Sequence, residues 1–239
     1  MIYIKKKLVI FLIATIPILL IYKITINKTY TYLSIGDDLA KGHTPFNTYN
    51  MSYTDYLYKY LKEKYQKITL NKDFIEEDIR IKDLITKITE PDLTKSKNLS
   101  QALKKADIIT LSVGSDELFS KLRSNYTLTK MDFKYVDDLI KDTTTLLKEI
   151  RKITNKKIFI IGYYSPINEP LDTSSYITTL FNYIDTKYIS LETEYNVAYI
   201  RIDEEFRNNP LYLPNKTNAF PSLEGYKLIS DKIIKKLES

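Results

Sequence analysis

The sequence predicts a three-layer α/β/α domain on a parallel sheet of about five strands, set behind an apolar N-terminal segment that reads as a transmembrane helix. Three observations lead there. Short β-branched and aromatic runs alternate with longer amphipathic stretches, the order expected of strand-helix-strand crossovers. Each short run is apolar enough to be buried on both faces, as in a helix-covered parallel sheet. Of only five glycines, Gly36, Gly114 and Gly162 stand where a run ends, the place where such sheets turn into helices and bind ligands.

Residues 1–28 come first. Lys5, Lys6 and Lys7 precede fifteen uncharged residues, Leu8 to Tyr22, and Lys23 closes the run. Basic residues ahead of an apolar run stay on the cytoplasmic side. No Ala-x-Ala-like pair follows, and Ile24 and Ile26 extend the span past Lys23, whose ammonium can snorkel. An uncleaved single-pass signal anchor is therefore expected, with a cleaved signal peptide as the alternative. Either way residues 29–239 form one extracytoplasmic domain, long enough to bury a core.

Within that domain the strand runs are 29–35, 68–74, 107–113, 157–162 and 197–202. Phe133, Val136, Leu139, Ile140, Leu146, Leu147, Ile150 and Ile153 recur at three- and four-residue intervals and mark one face of a long helix. Leu223, Tyr226, Leu228, Ile229, Ile233, Ile234 and Leu237 mark the last one. Tyr53, Tyr56, Tyr58, Tyr60 and Tyr65 could offer a sugar-stacking surface, but helical spacing turns some of these rings into the core. Pro91 and Pro170 mark loops, and Pro210, Pro214 and Pro221 punctuate the approach to the last helix.

Composition narrows the function classes. The chain has no cysteine, which excludes disulfides, thiol catalysis and thiolate metal sites. Its net charge of +6 comes from lysines interleaved with acids rather than gathered in a stripe, so nucleic acid is not an expected partner. The 21 tyrosines and the heavy use of lysine, isoleucine and asparagine fit an AT-rich genome without any function.

Three blocks carry chemistry. Gly36-Asp37-Asp38-Leu39-Ala40 follows the first strand, Gly114-Ser115-Asp116-Glu117-Leu118 follows the third, and Phe220-Pro221-Ser222-Leu223-Glu224-Gly225-Tyr226 opens the last helix. In order and spacing they resemble the Gly-Asp-Ser-Leu, Gly-x-Asn-Asp and Asp-x-x-His-Pro-x-x-x-Gly-Tyr blocks of the SGNH/GDSL hydrolases. The resemblance implies that fold, which is flavodoxin-like in its layering. It also implies a mechanism in which serine attacks an ester carbonyl, histidine takes its proton, and backbone and asparagine donors hold the oxyanion. Carried over by position, the serine is Asp38, the oxyanion glycine Asp78, the oxyanion asparagine Asp116, the histidine Phe220 and its acidic partner Thr217. Every one of these departs from the family pattern.

The losses do not compensate one another. An ester formed on Asp38 needs an activated water to clear it, and phenylalanine cannot supply the base. Asp116 offers an acceptor where a donor is needed. His43, the single histidine, lies five residues after Asp38 and reads as a polar loop residue rather than a rescued base. An imidazole within reach of Asp38 would overturn that.

What replaced the family residues suggests binding. Asp38, Asp78 and Asp116 are brought to one pocket by the resemblance, with Glu117 and His43 as further binding candidates. Two carboxylates about 4 Å apart repel by roughly 4 kcal/mol at an effective dielectric near 20. Raised pKa values, outward rotation or a bound cation would offset this, and oxygen-only ligands suit Ca²⁺ or Mg²⁺. Drift after loss of selection explains the same residues without any metal, and no cofactor is required. The expectation is a non-catalytic relative on the outer face of a bacterial membrane, binding a small molecule, glycan, cation or protein in an acidic crevice. An active esterase of acyl or acetyl esters is the alternative, and a purely structural envelope protein the third.

Overall fold

The computed structural model describes residues 28–91, 94, 97–124, 133–165, 176–215 and 218–239. The apolar N-terminal run and Thr217 lie outside them. Among the described residues no helix is long and apolar enough to cross a membrane.

Five parallel strands form one sheet in the order β2-β1-β3-β4-β5. They are β1 (Tyr30–Gly36), β2 (Ile68–Ile75), β3 (Ile108–Ser112), β4 (Ile158–Ile161) and β5 (Val197–Ile200). Each falls within a residue or two of the run that predicts it. The reason is burial: β3, β4 and β5 are enclosed at every position, so their sequences must be apolar throughout. β2, an edge strand, is only part-buried and correspondingly mixed.

The helices pack in two groups that cover the sheet. α2 (Tyr53–Lys64) lies against α9 (Leu223–Glu238), and α3 (Ile81–Thr89), α6 (Lys134–Arg151) and α7 (Tyr176–Tyr195) follow one another in contact. α1 (Asp38–Lys41), α4 (Leu99–Lys105), α5 (Ser115–Ser124) and α8 (Asp203–Asn208) are short and follow loops or strand ends. Val136, Leu139, Leu146, Leu147 and Ile150 of α6 are buried, as their spacing predicts, and so are Tyr226, Ile229 and Ile233 of α9. The tyrosine-rich segment is α2. Tyr53 is fully enclosed, while Tyr56, Tyr58, Tyr60 and Tyr65 pack part-buried on the core, which leaves no exposed stacking platform there.

The free side of β5 is closed by side chains. Glu192 of α7 accepts the Tyr199 N–H at 2.8 Å, and Lys232 of α9 donates to the Arg201 carbonyl at 2.7 Å. Capping an edge this way denies it to a pairing strand.

Gly36 and Gly114 are needed at the other end of the strands. A Cβ on Gly36 would lie 2.5 Å from the Ser112 carbonyl oxygen, and Gly114 sits at φ +94°, where L side chains are strained. Both positions let the chain turn closely over the carboxyl edge of the sheet.

Candidate functional site

The crevice lies over the carboxyl ends of β1, β3 and β4, with a volume of about 300 Å³. It is built first on Asp37. Strand β1 delivers this residue to the start of α1, where its carboxylate accepts the Leu39 N–H at 3.2 Å as an N-cap. The Ser112 hydroxyl donates to it at 2.8 Å and the Ser115 hydroxyl donates to its other oxygen. Asp37 is only 2% exposed. Burial pushes its carboxyl up to about 6, against the opposing pull of the two serine hydroxyls, and the Asp116 charge adds to the rise.

Asp38, one residue on, points to the mouth. Its Oδ2 accepts the backbone N–H of Asp78 at 3.3 Å, and its Oδ1 faces His43 Nδ1 at 3.6 Å. Asp78 has φ +54°, the left-handed region that glycine fills at least cost. Asp116 starts α5 opposite, and Asp38, Asp78 and Asp116 each bring a carboxylate oxygen within 4.8 Å of the others. An oxygen-only set of this kind suits a hard cation such as Ca²⁺ or Mg²⁺.

His43 is where the structure departs most from the sequence reading. Its ring stacks on Phe220 at 4.0 Å between centroids, its carbonyl accepts the Tyr226 hydroxyl at 2.6 Å, and its N–H donates to the Asp38 carbonyl at 3.1 Å. Nδ1 is enclosed, without a hydrogen bond. So Phe220, which the resemblance puts at the histidine position, supports an imidazole brought in from the α1 loop. The imidazole is therefore within reach of Asp38, and the argument from a missing base fails.

Glu117 lies to one side, lining an adjoining pocket with Asp78 and Asp116. It does not line the crevice: its Oε1 accepts the Ile81 N–H at 3.4 Å, at the first residue of α3. Its neighbour Ser115, Ser112, and the amides Asn47, Asn215 and Asn218 are lining residues that sequence reading did not single out. Only Ser115 had a signal, its place beside Gly114 at a strand end. The amides join two loops far apart in sequence: Asn218 donates to the Asn47 side chain and Asn215 to the Pro45 carbonyl, both at 2.8 Å. Phe119, Tyr164 and Phe220 supply ring faces, and among the described residues no lysine or arginine lines the crevice.

No family model and no curated protein matches the chain. Solved structures do. A lipase from a goat rumen metagenome superposes with a TM-score of 0.69 at 17% identity, covering 87% of this chain and 97% of that one. A GDSL-like lipase from Parabacteroides merdae gives 0.61 at 16% over 88% and 97%. An acetylxylan esterase from Geobacillus stearothermophilus gives 0.61 at 15% over 90% and 97%. At such identities the likeness is one of fold, and that fold is the SGNH/GDSL hydrolase-like one.

Proposed function

We propose that this SGNH/GDSL-like domain is a membrane-anchored, extracytoplasmic pseudohydrolase that has kept the crevice as a binding pocket and lost the turnover of alkyl and acetyl esters. The observation that carries the reading is the position of Asp38. Its Oδ2 takes the Asp78 N–H, a donor that ester chemistry would aim at the oxyanion. The residue at the nucleophile position thus fills the hole it should serve. Leaving-group chemistry points the same way. An acyl group moved from an alkyl ester to a carboxylate forms an anhydride, and the expelled alkoxide, far the stronger base, recaptures it before water can.

What remains is suited to binding. A 300 Å³ crevice lies at the small end of ligand pockets. Carboxylates, three amides and three aromatic rings make a lining for a small polar or cationic molecule, a glycan fragment or a protein side chain. The similar structures carry the names of lipases and acetylxylan esterases, which favours a lipid- or glycan-derived ligand held without cleavage. A Ca²⁺ or Mg²⁺ ion between Asp38, Asp78 and Asp116 is the other candidate occupant. The N-terminal apolar run would hold the domain at the outer face of the membrane, away from nucleic acid.

The test uses the full chain with triacetin and acetylated xylan, following acetate release by titration. Release no faster than in buffer is expected. A rate that disappears in Asp38→Ala would refute the reading. Thermal unfolding in millimolar Ca²⁺ or Mg²⁺ checks the cation, since an ion bound only to the folded state must raise the midpoint above a matched ionic-strength control.

A further inference from the structure

The fold sorts charge along the strand direction, although lysines and acids are interleaved in the sequence. All five strands run the same way, so the helices that lead into β2, β3 and β4 end at the amino edge of the sheet, opposite the crevice. α9 ends there too, since Glu238 meets the Lys64 ammonium at 3.6 Å. The last turns of α2, α4, α6 and α9 all carry basic residues, which suits the negative end of a helix dipole. The dipole does not account for Lys28, Lys67, Lys156 and Lys157, which lie outside helices just ahead of β1, β2 and β4. Lys67, Lys104, Lys105 and Lys157 are exposed, and no carboxylate among the described residues pairs with them. Most acids at this edge are answered within the protein: Asp107 meets Lys28 at 2.7 Å and Lys156 at 3.3 Å, and Glu149 meets Lys152 at 2.7 Å. Glu63 and Glu194 remain, and the lysines outnumber them. The crevice end has the opposite sign, with Asp38 opening α1, Asp116 and Glu117 opening α5, and Asp203 opening α8.

The basic edge is also where the chain enters the domain. Lys28 donates to Asp107 Oδ1, and Asp107 Oδ2 accepts the Thr31 N–H at 3.1 Å, which pins the entry point to the start of β3. β1 lies inside the sheet, between β2 and β3, so the entry falls within the basic edge rather than beside it. Lys28 stands five residues after Lys23, the charge that closes the apolar run. Fully extended, that stretch spans at most about 18 Å, roughly two Debye lengths at physiological salt.

We propose that the amino edge of the sheet docks on the anionic phospholipid headgroups of the membrane that holds the anchor, with the acidic crevice turned away from it. The inference rests on the membrane-anchor reading and deepens it. Basic groups held near an anionic leaflet are drawn to it, and salt screens the attraction. The seven residues of β1 carry the chain from that edge to the crevice, a distance of about 20 Å. The mouth then opens to the space outside the membrane, which selects a glycan fragment or a soluble molecule over a lipid embedded in the same leaflet.

The experiment is lysine acetylation of the full chain in vesicles of phosphatidylcholine alone and in vesicles that also contain phosphatidylglycerol, read site by site by mass spectrometry. Labelling of Lys67, Lys104, Lys105 and Lys157 should fall roughly fivefold or more in the anionic vesicles and recover in high salt. Lys41 and Lys82, exposed at the crevice end, should label equally in both. The triple variant Lys104→Gln/Lys105→Gln/Lys157→Gln changes only exposed side chains and should lose the protection of Lys67. Equal labelling of the amino edge in the two vesicles, protection that survives high salt, or equal protection of Lys41 and Lys82 would each overturn the proposal. So would protection that grows with the number of chains per vesicle at fixed lipid composition, since a second copy would then cover the face. A chain stripped from phosphatidylcholine vesicles by alkaline carbonate would sink the anchor reading alone, because labelling in the anionic vesicles still decides the docking face.

Discussion

Asp37 and Asp203 are both buried aspartates just beyond strand ends, and in both burial pushes the carboxyl up to about 6. Their partners differ in kind. Asp203 meets the Arg207 guanidinium one helical turn away and accepts the Ser165 N–H at 3.0 Å, while Arg207 donates to the Thr178 hydroxyl at 2.6 Å. Among the described residues Asp37 has only neutral donors, two serine hydroxyls and a backbone N–H. A charge countered on the spot is a brace, and this one ties the loop after β4 to α8 and α7. A charge left to neutral donors keeps its field, and Asp37 adds that field to a crevice already holding Asp38 and Asp116. The comparison separates aspartates that hold the fold from those that give the pocket its character.

The largest expected effect breaks the brace. Arg207→Met should cost about 3–5 kcal/mol, because it strands the buried Asp203 carboxylate without its guanidinium. Urea unfolding at neutral pH measures it. The double variant Asp203→Asn/Arg207→Met should recover part of the loss, and a single variant costing under about 1 kcal/mol would put Asp203 in the same class as Asp37.

The next effect sharpens the crevice side. A folded pKa of about 6 against an ordinary 3.8 means that folded Asp37 holds its proton more tightly than the unfolded chain does. Its contribution is fully favourable below about pH 4 and is lost as pH rises through about 6. Asp37→Asn removes the buried charge with the shape kept. Relative to wild type, it should gain on the order of 2–3 kcal/mol above pH 6, shrinking to nothing near pH 4. Asp203 titrates in both proteins and cancels. Unfolding curves whose difference does not change with pH would remove Asp37 from the argument.

The smallest effect concerns the clamp on the imidazole. Tyr226→Phe deletes the hydroxyl that donates to the His43 carbonyl and should lower stability by about 1 kcal/mol. Urea unfolding measures it, and an unchanged stability would mean that the Phe220 ring alone holds the imidazole.

Much of the site was legible residue by residue. Asp38 and Asp116 are read from blocks that follow strand ends and Asp78 through the resemblance, and the structure gathers them because strand ends of one parallel sheet share an edge. Asp78 at φ +54° could be anticipated only through the resemblance, since a left-handed aspartate has no local mark. Glu117 lines an adjoining pocket with Asp78 and Asp116 rather than the crevice over β1, β3 and β4, because a helix sends adjacent residues in different directions. His43 looked like a loop residue because nothing nearby in sequence fixes it. Its supports, Phe220 and Tyr226, come from the far end of the chain.

The sequence by itself determined the layered fold, the strand order's raw material and an aspartate, Asp38, directly after the first strand's Gly-Asp turn. These depend on local apolar periodicity and on single residues, which a chain carries wherever it folds. Only the tertiary structure decided that the imidazole stands beside Asp38 and that Asp38 occupies the Asp78 N–H. Those contacts join the loop after β1 to the loop after β2 and the approach to α9, and only packing on the common sheet sets the distances between such loops.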